Sequence, residues 1–214
     1  MNTTAVRRAA LALTAAVALP LSLAACAGED GGTSQPASGS SSAPEKSGTG
    51  GGTNAMSGPF GPACSSVPKD GKGSFDGMAA DPVATAASHN PALSTLVTAV
   101  RKAGLVDTLN NAENITVFAP TNDAFDKIPK AQLDKVLDDK EMLTQILTYH
   151  VVGRQLTPAQ LENGSYPTLQ KSRLTTSGSG TDYTVNDSSK VVCGNVPTAN
   201  ATVHLVDSVL MPEL

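Results

Sequence analysis

The chain has no tryptophan, only three tyrosines and four phenylalanines, three cysteines and three histidines, and no excess of positive charge. Each scarcity removes a class of function. Fifteen Lys and Arg against nineteen Asp and Glu leave a net charge of −4. A protein that tracks phosphates needs a basic face and usually aromatic platforms for bases, so no nucleic-acid partner is expected. The sequence holds no Gly-x-Ser-x-Gly elbow, phosphate loop, dinucleotide fingerprint or EF-hand loop. Ser66-Val67-Pro68-Lys69 matches a Ser-x-x-Lys nucleophile pattern, but its companion motifs are missing and chance alone supplies about one such match. His89, His150 and His204 stand alone, without the spacing of a metal site. The acidic run Asp138-Asp139-Lys140-Glu141 reads as helix-start electrostatics rather than a carboxylate pair. No enzyme activity and no cofactor are expected.

The N-terminal third is of another kind. Arg7 and Arg8 precede an apolar run from Ala9 to about Leu23, broken by Pro20 and followed by small residues. This is an export signal over residues 1–25, too short and Ala-rich for a permanent span. Leu23-Ala24-Ala25-Cys26 matches a bacterial lipobox, in which Cys26 becomes the lipidated first residue and the membrane becomes a partner. From Ala27 to Pro59, 22 of 33 residues are Gly, Ser, Thr or Pro, and none is Val, Ile, Leu, Phe, Tyr or Trp. Such a segment cannot offset its ordering entropy by burial. Residues 26–59 are therefore expected to be a disordered tether, spanning roughly 30 Å as a Gly/Ser coil. With Cys26 acylated, Cys64 and Cys193 remain as one possible pair, against two buried free thiols or a metal pair.

Residues 60–214 carry the folded domain. Asn90-Pro91 offers a cap with Pro at the first helical position, and Leu93, Leu96, Val97 and Val100 follow at helical spacing, with a stop near Gly104. Asp138 with Glu141 resembles a capping box before Met142, Leu143, Ile146 and Leu147. Thr157-Pro158-Ala159-Gln160 repeats that signature before a short helix that Asn163-Gly164 should close. Later the period changes. Tyr183 and Val185 alternate with polar neighbours, Lys190–Cys193 is β-prone, Ser177–Gly180 is a hairpin connection, and Val203 and Leu205 alternate with Thr202 and His204 as a strand with one covered face. Helices first and strands later predict an α+β fold with a largely antiparallel sheet. The sequons at Asn114, Asn163, Asn186 and Asn200 are expected to stay unmodified in a bacterial lipoprotein.

Three motifs then carry a family resemblance. Thr116-Val117-Phe118-Ala119-Pro120-Thr121-Asn122-Asp123-Ala124-Phe125 resembles the first signature of fasciclin domains, Tyr149-His150-Val151-Val152 their central Tyr-His motif, and the segment from Ala201 to Pro212 their closing signature. Within the family the chain is similar to a mycobacterial pair, a secreted immunogenic antigen and its lipoprotein sibling. The resemblance implies two small packed β-sheets flanked by short helices and a disulfide between Cys64 and Cys193. It associates Tyr149 and His150 with adhesion or with holding the local fold. In animal relatives it places integrin contact on an Asp-Ile pair whose counterpart here is Asn195-Val196, without the acid. The expected function is that of a non-enzymatic, lipid-anchored protein, extracytoplasmic and exposed at the bacterial surface. Its single fasciclin domain would mediate adhesion or another extracellular interaction with a protein or polysaccharide. The alternative is carriage of an apolar small molecule or lipid in a groove of the domain, as some fasciclin proteins bind carotenoids.

Overall fold

The computed structural model describes residues 58–212. The export signal, Cys26 and all but the last two residues of the expected tether lie outside the described residues.

Four short helices come first: α1 (Phe75–Ala80), α2 (Val83–Ser88), α3 (Ser94–Ala103) and α4 (Val106–Asn111). Strand β1 (Ile115–Pro120) follows, then α5 (Asn122–Asp126), α6 (Lys130–Asp138), α7 (Lys140–Tyr149), β2 (Val151–Val152) and α8 (Pro158–Leu161). The chain closes with β3 (Asn163–Pro167), β4 (Arg173–Ser179), β5 (Asp182–Val185), β6 (Ser189–Pro197) and β7 (Ala201–Val206). The fold is α+β. The strands lie in the order β2-β1-β7-β6-β5-β4-β3, with β1 and β7 parallel and the other neighbours antiparallel.

Strand β6 divides this ladder into the two small sheets. Its register against β7 shifts between Val191 and Cys193 and again between Cys193 and Val196, and such irregularities bend a strand. The half containing β1 and β7 turns one face to the helices. Ile115, Val117, Ala119, Ala201, Val203 and Leu205 join Leu96, Val100 and Leu147 there in a first core. The opposite face sends Phe118 and Val206 into a second core with Tyr166, Leu174, Tyr183 and Val185 from the other half.

Every residue of β1 and β7 is consequently buried. The one-faced strand expected at 202–206 is instead covered on both sides: Thr202 and His204, expected to face outward, are 5% and 0% exposed. Local signals differ in smaller ways. The cap of α7 is Asp139, not Asp138, accepting the Glu141 and Met142 N–H groups. Asn163-Gly164 opens β3 instead of closing α8. The capping box at Thr157 and Gln160 and the left-handed stop at Gly104, φ 74°, form as expected. Cys64 and Cys193 form a disulfide that ties the 3-10 turn Pro62–Ser66 to β6.

Candidate functional site

Between the first four helices and the sheet lies a cavity of about 140 Å³. Val83 of α2, Leu96 and Val100 of α3, Leu109 of α4 and Val117 and Val203 of the sheet supply its wall, together with Asn90 and His150. Its position follows from how short helices are pinned. A helix of six residues gains little from its own hydrogen bonds, so side chains from elsewhere must hold it. Asn200, in the β6–β7 connection, accepts the Val83 N–H on Oδ1 at 2.8 Å and donates from Nδ2 to the carbonyls of Leu109, at 2.8 Å, and Ala112, at 2.6 Å. One side chain thereby joins the start of α2 to the end of α4. Asn110 reinforces the pair by accepting the Ala84 N–H at 2.9 Å and donating to Thr85 Oγ1 at 3.2 Å. Asn122 holds the start of α3 by accepting the Thr95 N–H at 3.0 Å and donating to the Pro91 carbonyl at 2.9 Å.

Asn90 and His150 are the buried polar side chains of the wall. Asn90 caps the 3-10 turn Pro91–Leu93, its Oδ1 accepting the Ala92 N–H at 3.0 Å. His150 is 2% exposed. Its Nδ1–H donates to the Ile146 carbonyl at 2.8 Å and its Nε2 accepts the Leu210 N–H at 3.0 Å, which together select the neutral Nδ1–H tautomer. Burial lowers its pKa to about 4, against the smaller raising effect of the Ile146 bond. His204 is also buried, stacked 5.5 Å from Phe118 and accepting the Asn195 N–H on Nδ1 at 3.1 Å; desolvation lowers its pKa to about 4.

Of the residues singled out for interaction, the structure brings His150 and Val196 to the cavity and places Tyr149 and Asn195 elsewhere. Tyr149 is buried in the second core, its hydroxyl donating to the Arg173 carbonyl and accepting from Asn186 Nδ2. Val196 is 1% exposed and borders the cavity. Asn195 sits in the β6 irregularity at φ 56°, half-buried, with its Nδ2 donating to the Gly58 carbonyl. His89 lies 3.4 Å from Asp81 at the end of α2. Ser66 and Lys69 are exposed. Among the described residues no cluster of three or more His, Cys, Asp or Glu could hold a metal, and no helix is long and apolar enough to cross a membrane. Sequence reasoning passed over Asn200, read only as a sequon, and Thr116. The Thr116 hydroxyl donates to the Arg154 carbonyl and accepts the Leu156 N–H. The available signal was a polar residue set among buried apolar neighbours.

Comparison with known proteins gives these elements a context. The family model described as Fasciclin domain matches residues 91–212. The chain is 52% identical over 147 residues to Cell surface glycolipoprotein MPB83 of Mycobacterium bovis, covering 66% of each. It is 47% identical over 160 residues to Immunogenic protein MPB70 of the same species, covering 71% of the chain and 81% of the relative. The chain thus spans just under two thirds of the length of MPB83. Among solved structures, a FAS1 domain pair from the insect cell adhesion molecule Fasciclin I superposes with a TM-score of 0.52 at 20% identity, over 64% of this chain and 53% of that one.

Proposed function

The chain belongs to the fasciclin domain family, and from that premise we propose that it is a non-enzymatic, lipid-anchored module of the cell surface whose domain takes an apolar group of an extracellular molecule into the cavity beneath α2, α3 and α4. The cavity carries the reading. Its volume of about 140 Å³ is close to the roughly 150 Å³ of an apolar cavity known to stay dry and take up benzene. One ring, one isoprenoid unit or a short stretch of acyl chain fits that space. The wall offers hydrocarbon on nearly every side, and its imidazole, His150, has both nitrogens bonded to the backbone and no lone pair left for a substrate. Acylation at Cys26 and the tether of residues 26–59 would hold the domain at the membrane. The name of the MPB83 relative, a cell surface glycolipoprotein, supports this address.

The test is to purify the full chain from its native envelope without denaturation and extract it with organic solvent. Mass spectrometry of the extract, followed by calorimetric titration of the stripped protein with benzene, reads the cavity. A stoichiometric apolar companion, or uptake of benzene at one site, is the expected result. An empty protein that takes up no benzene overturns the reading.

A second reading, attachment to a protein or polysaccharide, is favoured by Asn195, which unlike Tyr149, His150 and Val196 reaches the surface. It predicts weaker attachment of cells that lack the domain. Equal attachment to every surface tried overturns it.

A further inference from the structure

Asn90 carries a buried donor that the fold does not use. The residue is 2% exposed and lines the cavity. Its Oδ1 is committed to the Ala92 N–H. Only the amide oxygen can accept that proton, so the cap also fixes which way the amide is turned. Nδ2 has no hydrogen-bond partner among the described residues. Native interiors pair nearly all such groups with protein, water or ligand, because an unpaired buried donor is destabilising.

The polar side chains nearest in the wall hydrogen-bond elsewhere and not to Asn90 Nδ2. Both nitrogens of His150 are engaged. Thr85 Oγ1 accepts from Asn110, the Ser88 hydroxyl donates to the Thr85 carbonyl, and the Thr198 hydroxyl donates to the Ala201 carbonyl. Of the groups lining the cavity, Asn90 Nδ2 is the one both buried and without a hydrogen bond among the described residues. Water is a poor substitute, since a buried water needs two to four polar partners and the wall here is mostly hydrocarbon.

We infer that Asn90 Nδ2 is the polar anchor of the cavity, donating a hydrogen bond to a carbonyl-type oxygen carried by an otherwise apolar ligand. The inference rests on the cavity reading proposed above. The anchor is a neutral donor in an apolar wall, so a ketone or ester suits it. A carboxylate would be drawn to Arg101, the exposed cation of the lining, rather than to this neutral amide, and a plain hydrocarbon would leave the donor unpaired. An acyl ester of a lipid and a keto-isoprenoid share this chemistry.

The test uses the full chain, stripped of lipid, and two probes of one shape, cyclohexanone and methylenecyclohexane, titrated calorimetrically. In Asn90→Ser the hydroxyl can still cap the turn, but the amide donor is gone. The ratio of ketone to alkene affinity is expected to fall roughly 3- to 10-fold from wild type to Asn90→Ser, with the alkene affinity within about twofold. Both probes binding with an unchanged ratio overturns the inference and leaves the cavity reading standing. Neither probe binding to wild type overturns both. Should Asn90→Ser fail to fold, the side-chain amide resonance of Asn90 in the wild type decides. It should shift with the ketone and hold with the alkene, and equal responses to the two probes overturn the anchor. The native companion discriminates the source: release of a fatty acid on saponification identifies an ester lipid, and survival of an intact ketone identifies an isoprenoid. A companion without oxygen overturns the inference.

Discussion

His150 accepts the Leu210 N–H on its Nε2 at 3.0 Å, so the neutral ring is the seam between the end of α7 and the C-terminal segment. Protonation would place a hydrogen where that N–H already points. His204 is buried in the same state, and both pKa values are lowered from 6.5 to about 4 by desolvation. Between those values the unfolded chain binds protons that the folded chain does not, so the contribution of the two imidazoles to stability falls as pH falls from 6.5 to 4 and is constant outside that window. Each imidazole contributes on the order of 3 kcal/mol across it. Urea denaturation from pH 7 to 4 should show a midpoint that declines over this range. In His204→Asn, where the amide oxygen can replace Nδ1 as acceptor for Asn195, the decline should be about half as steep. A midpoint flat in pH would remove the neutral buried pair.

The disulfide closes a loop of 129 residues, from the first turn of the described chain to β6. Chain entropy for a loop of this length gives about 5 kcal/mol as an upper figure, with roughly 2–5 kcal/mol typical of native bridges. Cys64→Ser and Cys193→Ser should each lower the unfolding free energy by that range, and reduction of the wild type should match them. Equilibrium denaturation with and without reductant measures it.

The motifs visible in sequence are those whose physics is local or whose pattern is a family signature. Ile115 to Pro120 reads as a buried strand because β-branched and aromatic residues run up to a proline, and Ala124 and Phe125 of α5 are buried just after it. Thr157 and Gln160 form a capping box that needs only four residues. The outward face expected for His204 is buried because strand alternation reports a second face without telling what covers it, and here Phe60, from the start of the described chain, lies 6.5 Å from the imidazole with Tyr183 of β5 packed behind it. The cavity was illegible for a similar reason. Leu96, Val100 and Val117 are what any core would require, and whether space remains between them depends on where Asn200 and Asn110 hold α2 and α4.

Gly194 is required by its neighbour. It exchanges two backbone hydrogen bonds with Phe60, at 2.7 and 3.0 Å, and a Cβ there would lie 2.3 Å from the Phe60 ring. That ring is buried against Tyr183, 5.3 Å between centroids, and has no open space to enter. Gly194→Ala should destabilise the domain by about 1–3 kcal/mol. Combining it with Phe60→Leu should give less than the sum of the single effects, because the smaller side chain relieves the clash. Additive losses in denaturation experiments would place the fault elsewhere.

Asn200 is where stability and the cavity are coupled most directly. Its amide satisfies the Val83 N–H and the carbonyls of Leu109 and Ala112, three backbone groups at helix ends with no intrahelical partner to turn to. Truncation in Asn200→Ala leaves all three to find water in a half-buried site, and a loss of roughly 2–4 kcal/mol is expected. Asn200→Asp should fall between, because its carboxylate can keep the Val83 bond but faces the two carbonyls as acceptor against acceptor. The loss should be local as well as global. Hydrogen exchange of the α2 and α4 amides should accelerate more than that of β1 and β7, since the strands keep their ladder while the helices lose their pin. Benzene affinity should drop with it, because α2 and α4 form the part of the wall that is released. If exchange rose equally in helices and strands, with benzene affinity intact, Asn200 would be an ordinary stabilising residue and the cavity wall would be held by something else.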